Sequence, residues 1–474
     1  MKKLISCILC LFMLLPLAAC SGDAPAQSGE STILTTAVQA SAFSVGYGRV
    51  CITPPLGVSL QGFADPDNRR ATTVMDDLYV TCIAFQDEVG TQALVFTVDS
   101  IRTEPKIANS VRRAIEKELG VPEANILYCS THSHSTQDSG AYDAKGTALE
   151  AARMALEDLK PAKMFIATGK TENLNFVRHY VMNDGSVIGD NYGYEEGKKY
   201  VGHTTEADNQ MQLLKITREG SKDIVMMNWQ AHPIWTCNGG QATGISADYI
   251  GACRSNIEEK LDCLFSFHQG ACGNLNAVSR ISSEQFVTSY NEHGRALAGT
   301  AVSALNRATE VEPGLIRIHN TVFNAKVRKD EDPEFLAGIV AFRDVYDRGG
   351  STKEAILASG GKVNSIYAIS AANVRKSMGD TDEIDLYTIG IGDIAFIGAE
   401  YEMFDTNGVF IKENSPYEMT FVLCYCNDGH SYIPSAIGFE LGCYESDTSY
   451  YEAGTGELLA NEYVRILNEL YSGK

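Results

Sequence analysis

Basic residues are scarce in this chain, which carries 39 Lys and Arg against 60 Asp and Glu and a formal net charge of -21 over 474 residues. Nucleic-acid binding draws its affinity from cations that displace the counterions around phosphates, so this balance excludes a nucleic-acid partner. It excludes a polybasic grip on anionic lipid for the same reason. Beyond the first twenty residues no apolar run is long enough to span a bilayer. No GxSxG elbow, HExxH helix or GxxxxGKS/T loop occurs, which argues against α/β-hydrolases, zincins and P-loop NTPases. Repeats, low-complexity breaks and Pro/Ser linkers are also missing, and 44% hydrophobic with 21% charged residues is the composition of a folded globular protein.

What is present begins at the first residues. Lys2 and Lys3 precede an apolar run over residues 4–17 that closes in Leu17-Ala18-Ala19-Cys20. This pattern is similar to a bacterial lipobox: residues 1–19 are expected to be a lipoprotein signal, with Cys20 lipidated as the mature N-terminus. Residues 20–42, rich in Ser, Gly, Ala, Thr and Gln, have little to bury and are expected to form a flexible tether. The expected location is therefore extracytoplasmic, on a bacterial cell surface, held to the membrane only through Cys20. Of the 13 cysteines, Cys7, Cys10 and Cys20 fall in this leader, and the others are scattered without a CxxC pair. Most are expected to be buried free thiols.

Residues 43–474 are expected to form one domain. Apolar runs at residues 92–98, 126–130, 164–167, 212–217, 224–229, 264–268, 315–329, 389–397 and 419–425 have the character of strands covered on both faces. Amphipathic stretches at 105–119, 149–159, 247–261, 286–308, 333–346 and 456–470 alternate with them. This order predicts an α/β fold, a large mixed-sheet layered domain with helices packed over the sheets.

Several strand ends carry residues with chemistry. The segment Tyr128-Cys129-Ser130-Thr131-His132-Ser133-His134-Ser135 ends a strand in His-x-His, and residues i and i+2 of a strand share a face. Two imidazoles projecting together suit a metal ligand with either a second ligand or a proton-transfer partner. Another strand ends at Ala231-His232-Pro233, where a half-buried loop histidine is the plainer reading. A third, apolar over 394–397, runs into Gly398-Ala399-Glu400-Tyr401-Glu402, and a carboxylate at the end of a buried strand needs a cation or donors. Asn427-Asp428-Gly429-His430-Ser431-Tyr432 and Cys443-Tyr444-Glu445 follow the last strand. Gly270, Ala271 and Gly273 make the loop from His268 to Asn276 compact or open to a ligand. Arg178, in Asn175-Phe176-Val177-Arg178, suits a substrate carbonyl or an ordinary ion pair.

Taken in order, the HxH, NFVR, AHP, Gly-rich, GAE and NDxxxY segments, with a YE twelve residues on, resemble the neutral/alkaline, non-lysosomal ceramidase family. Val45-Gly46-Tyr47-Gly48-Arg49-Val50-Cys51-Ile52-Thr53-Pro54 is similar to that family's opening, Thr131-His132-Ser133-His134 to its T-H-T-H and Ala231-His232-Pro233 to its V-H-P. The resemblance implies a zinc ion held by His132, His232, Glu400 and Tyr432. It implies His134 as a proton-transfer group, Arg178 and Tyr444 as donors facing the scissile amide, and a lipid-like or small acyl substrate. At the family's serine the matching stretch reads Gly273-Asn274-Leu275-Asn276-Ala277, so Asn276 stands where the nucleophile would be. An amide cannot attack a carbonyl, so a water activated at zinc becomes the expected nucleophile, with Asn276 at most a hydrogen-bond donor to the oxyanion. About thirty residues follow Tyr444, fewer than the immunoglobulin-like domain that the family adds. The expectation is a lipid-anchored zinc amidohydrolase acting on an N-acyl or related acyl bond. Two alternatives are a non-catalytic surface lipoprotein that captures a lipid or glycan in the same pocket, and a thiol hydrolase using Cys272.

Overall fold

Strands that are apolar along their whole length must be covered on both faces, and the computed structural model shows how this chain covers them. It describes residues 42–63, 69–189, 198–329, 333–427 and 431–473. The expected signal, Cys20, the tether up to residue 41 and His430 lie outside them.

A nine-stranded sheet runs in the order Leu264–Gln269, Ile224–Trp229, Gln210–Arg218, Lys160–Lys170, Ser44–Cys51, Tyr79–Gln86, Gln92–Val98, Ile126–Ser130, with Thr309–Val311 added to Lys160–Lys170. A five-stranded sheet contains Ile316–Ile318, Thr321–Lys326, Thr381–Ile391, Ile394–Ala399 and Met419–Leu423. The two sheets face each other through one apolar core, where Ile83, Phe85, Val95 and Leu127 of the first meet Ile389, Phe396, Phe421 and Leu423 of the second. Alternate residues of the same strands point the other way, as the two-residue period of a strand demands. Val80, Cys82, Ala84 and Tyr128 pack beneath the helices Pro105–Leu119 and Ala144–Glu157. Val225, Met227 and Trp229 pack beneath Tyr249–Leu261 and Tyr290–Leu305, and Ala395, Ile397 and Val422 beneath Asp405–Asn414 and Thr455–Ser472. The result is four layers, helix, sheet, sheet, helix, which matches the layered α/β expectation. The described residues make one compact unit.

The strand Ser44–Cys51, at the centre of the large sheet, was not among the expected runs because Gly46, Gly48 and Arg49 dilute its apolar character. Those glycines have a packing role. A Cβ on Gly46 would sit 1.9 Å from the carbonyl oxygen of Ala155, and one on Gly48 2.0 Å from that of Ala151, so the helix above lies directly on the strand. Two expected runs are each broken in two. Residues 389–397 turn back at Gly392-Asp393, where Gly392 has φ 56°, and residues 315–329 divide into Ile316–Ile318 and Thr321–Lys326. Apolarity alone does not reveal a two-residue hairpin inside a doubly covered sheet.

The parallel pairs matter most for function. Gln92–Val98 pairs in parallel with Ile126–Ser130, Ile224–Trp229 with Leu264–Gln269, and Ile394–Ala399 with Met419–Leu423. Ligands of α/β sheets bind beyond the carboxyl ends of such strands. Here those ends meet: Ser130 N–H donates to Tyr425, Cys424 N–H to Gln269, Cys426 N–H to Ala399 and His232 N–H to Leu275.

Candidate metal centre

Just beyond the strand Ile126–Ser130, His132 adopts a left-handed backbone with φ 66°, a sparsely populated state for a non-glycine residue that persists only where surroundings enforce it. Two contacts do so. Its ring stacks on Tyr425 with centroids 4.0 Å apart, and its Nδ1 donates to the carbonyl of Ile101 at 2.7 Å. His134 lies further along the same loop, its Nδ1 donating to Gly62 at 3.2 Å. The two rings therefore meet through a left-handed turn, not through the shared strand face expected from their spacing. His232 comes from the other half of the sheet, beyond Ile224–Trp229, and bridges Asn276. Its Nδ1 faces the carbonyls of Cys272 and Leu275, both at 2.9 Å. A carbonyl only accepts, so in all three rings Nδ1 carries the proton and Nε2 presents a lone pair.

The carboxylate that meets these lone pairs is that of Glu402. The short strand Glu402–Met403 pairs in parallel with Tyr432–Ile433, in a register that sets Glu402 beside Tyr432. Glu402 Oε2 lies 3.3 Å from His232 Nε2 and 3.7 Å from His132 Nε2, and it accepts from the Tyr425 hydroxyl at 3.1 Å. The Tyr432 hydroxyl is 3.4 Å from His232 Nε2. Glu400, the expected ligand, instead turns its carboxylate to the backbone N–H of Asp385 at 3.2 Å. The physical reason is the end of the strand. Ile394–Ala399 stops before the first acid, the chain bends at residues 400 and 401, and only the second acid is carried to the histidines.

The donor set fits zinc. The ligating nitrogens of His132, His134 and His232 lie within 4.8 Å of one another, and the Nε2 atoms of His132 and His134 are 3.3 Å apart. Burial, the dominant effect, holds all three imidazoles below their usual range, His232 down to about 3, so they stand neutral at pH 7. Neutral rings with facing lone pairs beside a carboxylate are a natural seat for a divalent cation, and a nitrogen and oxygen set of this kind suits zinc. Burial and the Glu402 carboxylate push the Tyr432 phenol well above its ordinary range, so it ligates as phenolate only against a cation.

A cavity of about 650 Å³ opens on this cluster, walled by His134, Arg178, His232, Asn276, Tyr432 and Tyr444 among others. Every residue expected at the site except Glu400 thus lies at the cavity or directly behind it. Its far wall was not foreseen. The helices Pro333–Tyr346, Thr352–Ala358 and Ile366–Ser377 build a small core of their own around Phe335, Phe342 and Ile369, and bring Tyr346, Thr352, Ser365 and Tyr367 over the opening. Arg178 is clamped beneath: Nε donates to Glu445 Oε1 at 2.5 Å, Nη2 to the carbonyl of Gly273 at 2.7 Å, and Nη1 lies 3.4 Å from His232 Nε2. Burial by itself would raise the Glu445 carboxyl, but Arg178 and His179 outweigh it and bring it down to about 2. Cys272 offers no thiolate, since burial pushes its thiol well above the usual range and its Sγ faces the Tyr425 hydroxyl at 3.3 Å.

Two solved structures share this architecture. A ceramidase complexed with C2 superposes over 91% of this chain and 75% of its own with a TM-score of 0.67 at 15% identity. The neutral ceramidase from Pseudomonas aeruginosa does so over 90% of this chain and 74% of its own, with a TM-score of 0.66 at 16% identity. The chain has the neutral ceramidase fold. The likeness expected from the order of motifs is therefore met in three dimensions. No protein-family model matches the sequence, and no curated protein matches it. Within the ceramidase fold the histidine cluster sits beyond the carboxyl ends of the parallel strands, where both sheets contribute to one site.

Proposed function

We propose that this protein is a zinc-dependent hydrolase of the ceramidase type, cleaving an N-acyl or related acyl bond, and that lipid on Cys20 holds it outside the cell. The convergence of His132, His232, Glu402 and Tyr432 from both sheets, on a cavity wide enough for an acyl substrate, carries the reading. These four residues would hold the metal, which when bound polarises a carbonyl and lowers the pKa of a water.

The protein's own groups divide the remaining work. His134 lines the cavity with an unprotonated Nε2, so it accepts the proton of the attacking water and returns it to the leaving nitrogen. Arg178 Nη1 and the Tyr444 hydroxyl stand on the wall as donors for the tetrahedral oxyanion, preorganised away from bulk water. Asn276 supplies an amide at the same wall and no nucleophile, so the water attacks directly and no acyl-enzyme forms. The test is turnover of N-acyl sphingosines, N-acyl amino acids and N-acyl anilides, with zinc measured in the same preparations. Zinc near one per chain with chelator-sensitive hydrolysis is the expected result. Zinc-free protein that binds these compounds without cleaving them would replace the enzyme by a binding lipoprotein.

A further inference from the structure

Arg178 is buried at the cavity wall, where solvent cannot hold its guanidinium in place. Its orientation comes from one carboxylate. Glu445 takes Nε at 2.5 Å through Oε1, while its Oε2 accepts from His179 Nε2 at 2.8 Å, so both oxygens are committed. His179 follows Arg178 in sequence and opens the strand His179–Met182, and Glu445 follows Tyr444 on the helix Tyr444–Thr448. One carboxylate thus ties the segment carrying Arg178 to the segment carrying Tyr444. With Nε and Nη2 engaged, Nη1 is the corner left to face the cluster, 3.4 Å from His232 Nε2. The guanidinium carbon lies 5.4 Å from the centroid of the Tyr432 ring and 5.9 Å from that of Tyr444, within cation–π range of both.

We infer that Glu445, itself fixed by His179, is a positioning residue that aims Arg178 Nη1 at the reacting carbonyl. This rests on the reading of Arg178 as an oxyanion donor. The carboxylate is buried behind the cavity wall and acts only through the guanidinium. His179 and Glu445 lie close enough to Cys443 to suggest a second metal site, but the two oxygens of Glu445 are already spent on Arg178 and His179.

The experiment uses the full-length protein and chemical rescue. Glu445→Gln is expected to lower kcat on the order of 10- to 100-fold, the range seen when a group that orients a functional side chain is lost, with KM and bound zinc unchanged. In Arg178→Ala, millimolar guanidinium chloride is expected to restore part of the activity and to raise the melting midpoint. In Arg178→Ala/Glu445→Gln, which removes both buried charges together, guanidinium is expected to do neither. Wild-type kcat in Glu445→Gln, or equal rescue of the single and double variants, overturns the inference. If Glu445→Gln does not fold, the rescue comparison decides alone. If the wild type neither holds zinc nor turns over any N-acyl compound, the proposed function fails, while the guanidinium-dependent melting shift still decides what Glu445 does.

Discussion

Two acids separated by one residue make the sharpest prediction, because only one of them faces the histidines. Glu402 stands 3.3 and 3.7 Å from the Nε2 atoms of His232 and His132, whereas Glu400 accepts the Asp385 N–H at 3.2 Å. Residues that merely orient a ligand cost 10- to 100-fold in metal affinity when lost, so Glu402→Gln, which removes a charged ligand, is expected to weaken zinc by at least about 100-fold, or about 2.8 kcal/mol. Glu400→Gln keeps an acceptor for Asp385 and removes the charge from that hydrogen bond, about 1 kcal/mol of stability, which in a chain of this length lowers the melting midpoint by a few degrees. Competition for zinc against a chromophoric chelator measures the first effect and thermal unfolding of the metal-free variants the second. Zinc lost in Glu400→Gln and kept in Glu402→Gln would show that the carboxylate assignment is reversed.

Asn276→Ala is expected to cost far less activity than His134→Ala, with no acyl burst in either and no labelling by serine-directed inhibitors; an acyl group trapped on Ser130, Ser133 or Cys272 would refute direct attack by water. Cys20→Ser should release the protein into the medium, and continued retention would make the apolar run over residues 4–17 a membrane anchor in its own right. His268 and His293 are buried and held down to about 3 by that burial, from the ordinary 6.5. The folded state then takes up protons less readily than the unfolded chain, so stability is intact above pH 6.5 and falls as the pH drops towards 3. The slope is about 1.4 kcal/mol per pH unit for each of them. Urea midpoints at pH 7.5 and 5 in His268→Gln/His293→Gln should show a shallower loss than in wild type, and identical slopes would exclude these two histidines as the source.

Legibility from sequence followed the physics of each feature. A doubly covered strand must be apolar at every position, so Ile126–Ser130 and Ile224–Trp229 announce themselves, whereas the run over 389–397 hides the hairpin from which Ile394–Ala399 emerges. Because ligands gather beyond the ends of such strands, His132 and His134 stood out as candidates from their local context, whereas His232, Tyr432 and Arg178 became candidates only through the resemblance of the ordered motifs to the ceramidase family. The choice between Glu400 and Glu402 was not readable. It depends on where a strand stops and on the pairing of Glu402–Met403 with Tyr432–Ile433, a contact between segments about thirty residues apart. The clamp of Glu445 on Arg178 spans 267 positions, and the stacking of Tyr425 under His132 needs the two sheets to be packed together. Periodicity carries information about neighbours in the chain. Convergence between distant segments exists only once the layers have closed, and that is why the tertiary structure alone selected the carboxylate, set Arg178 and laid the three-helix cap over the cavity.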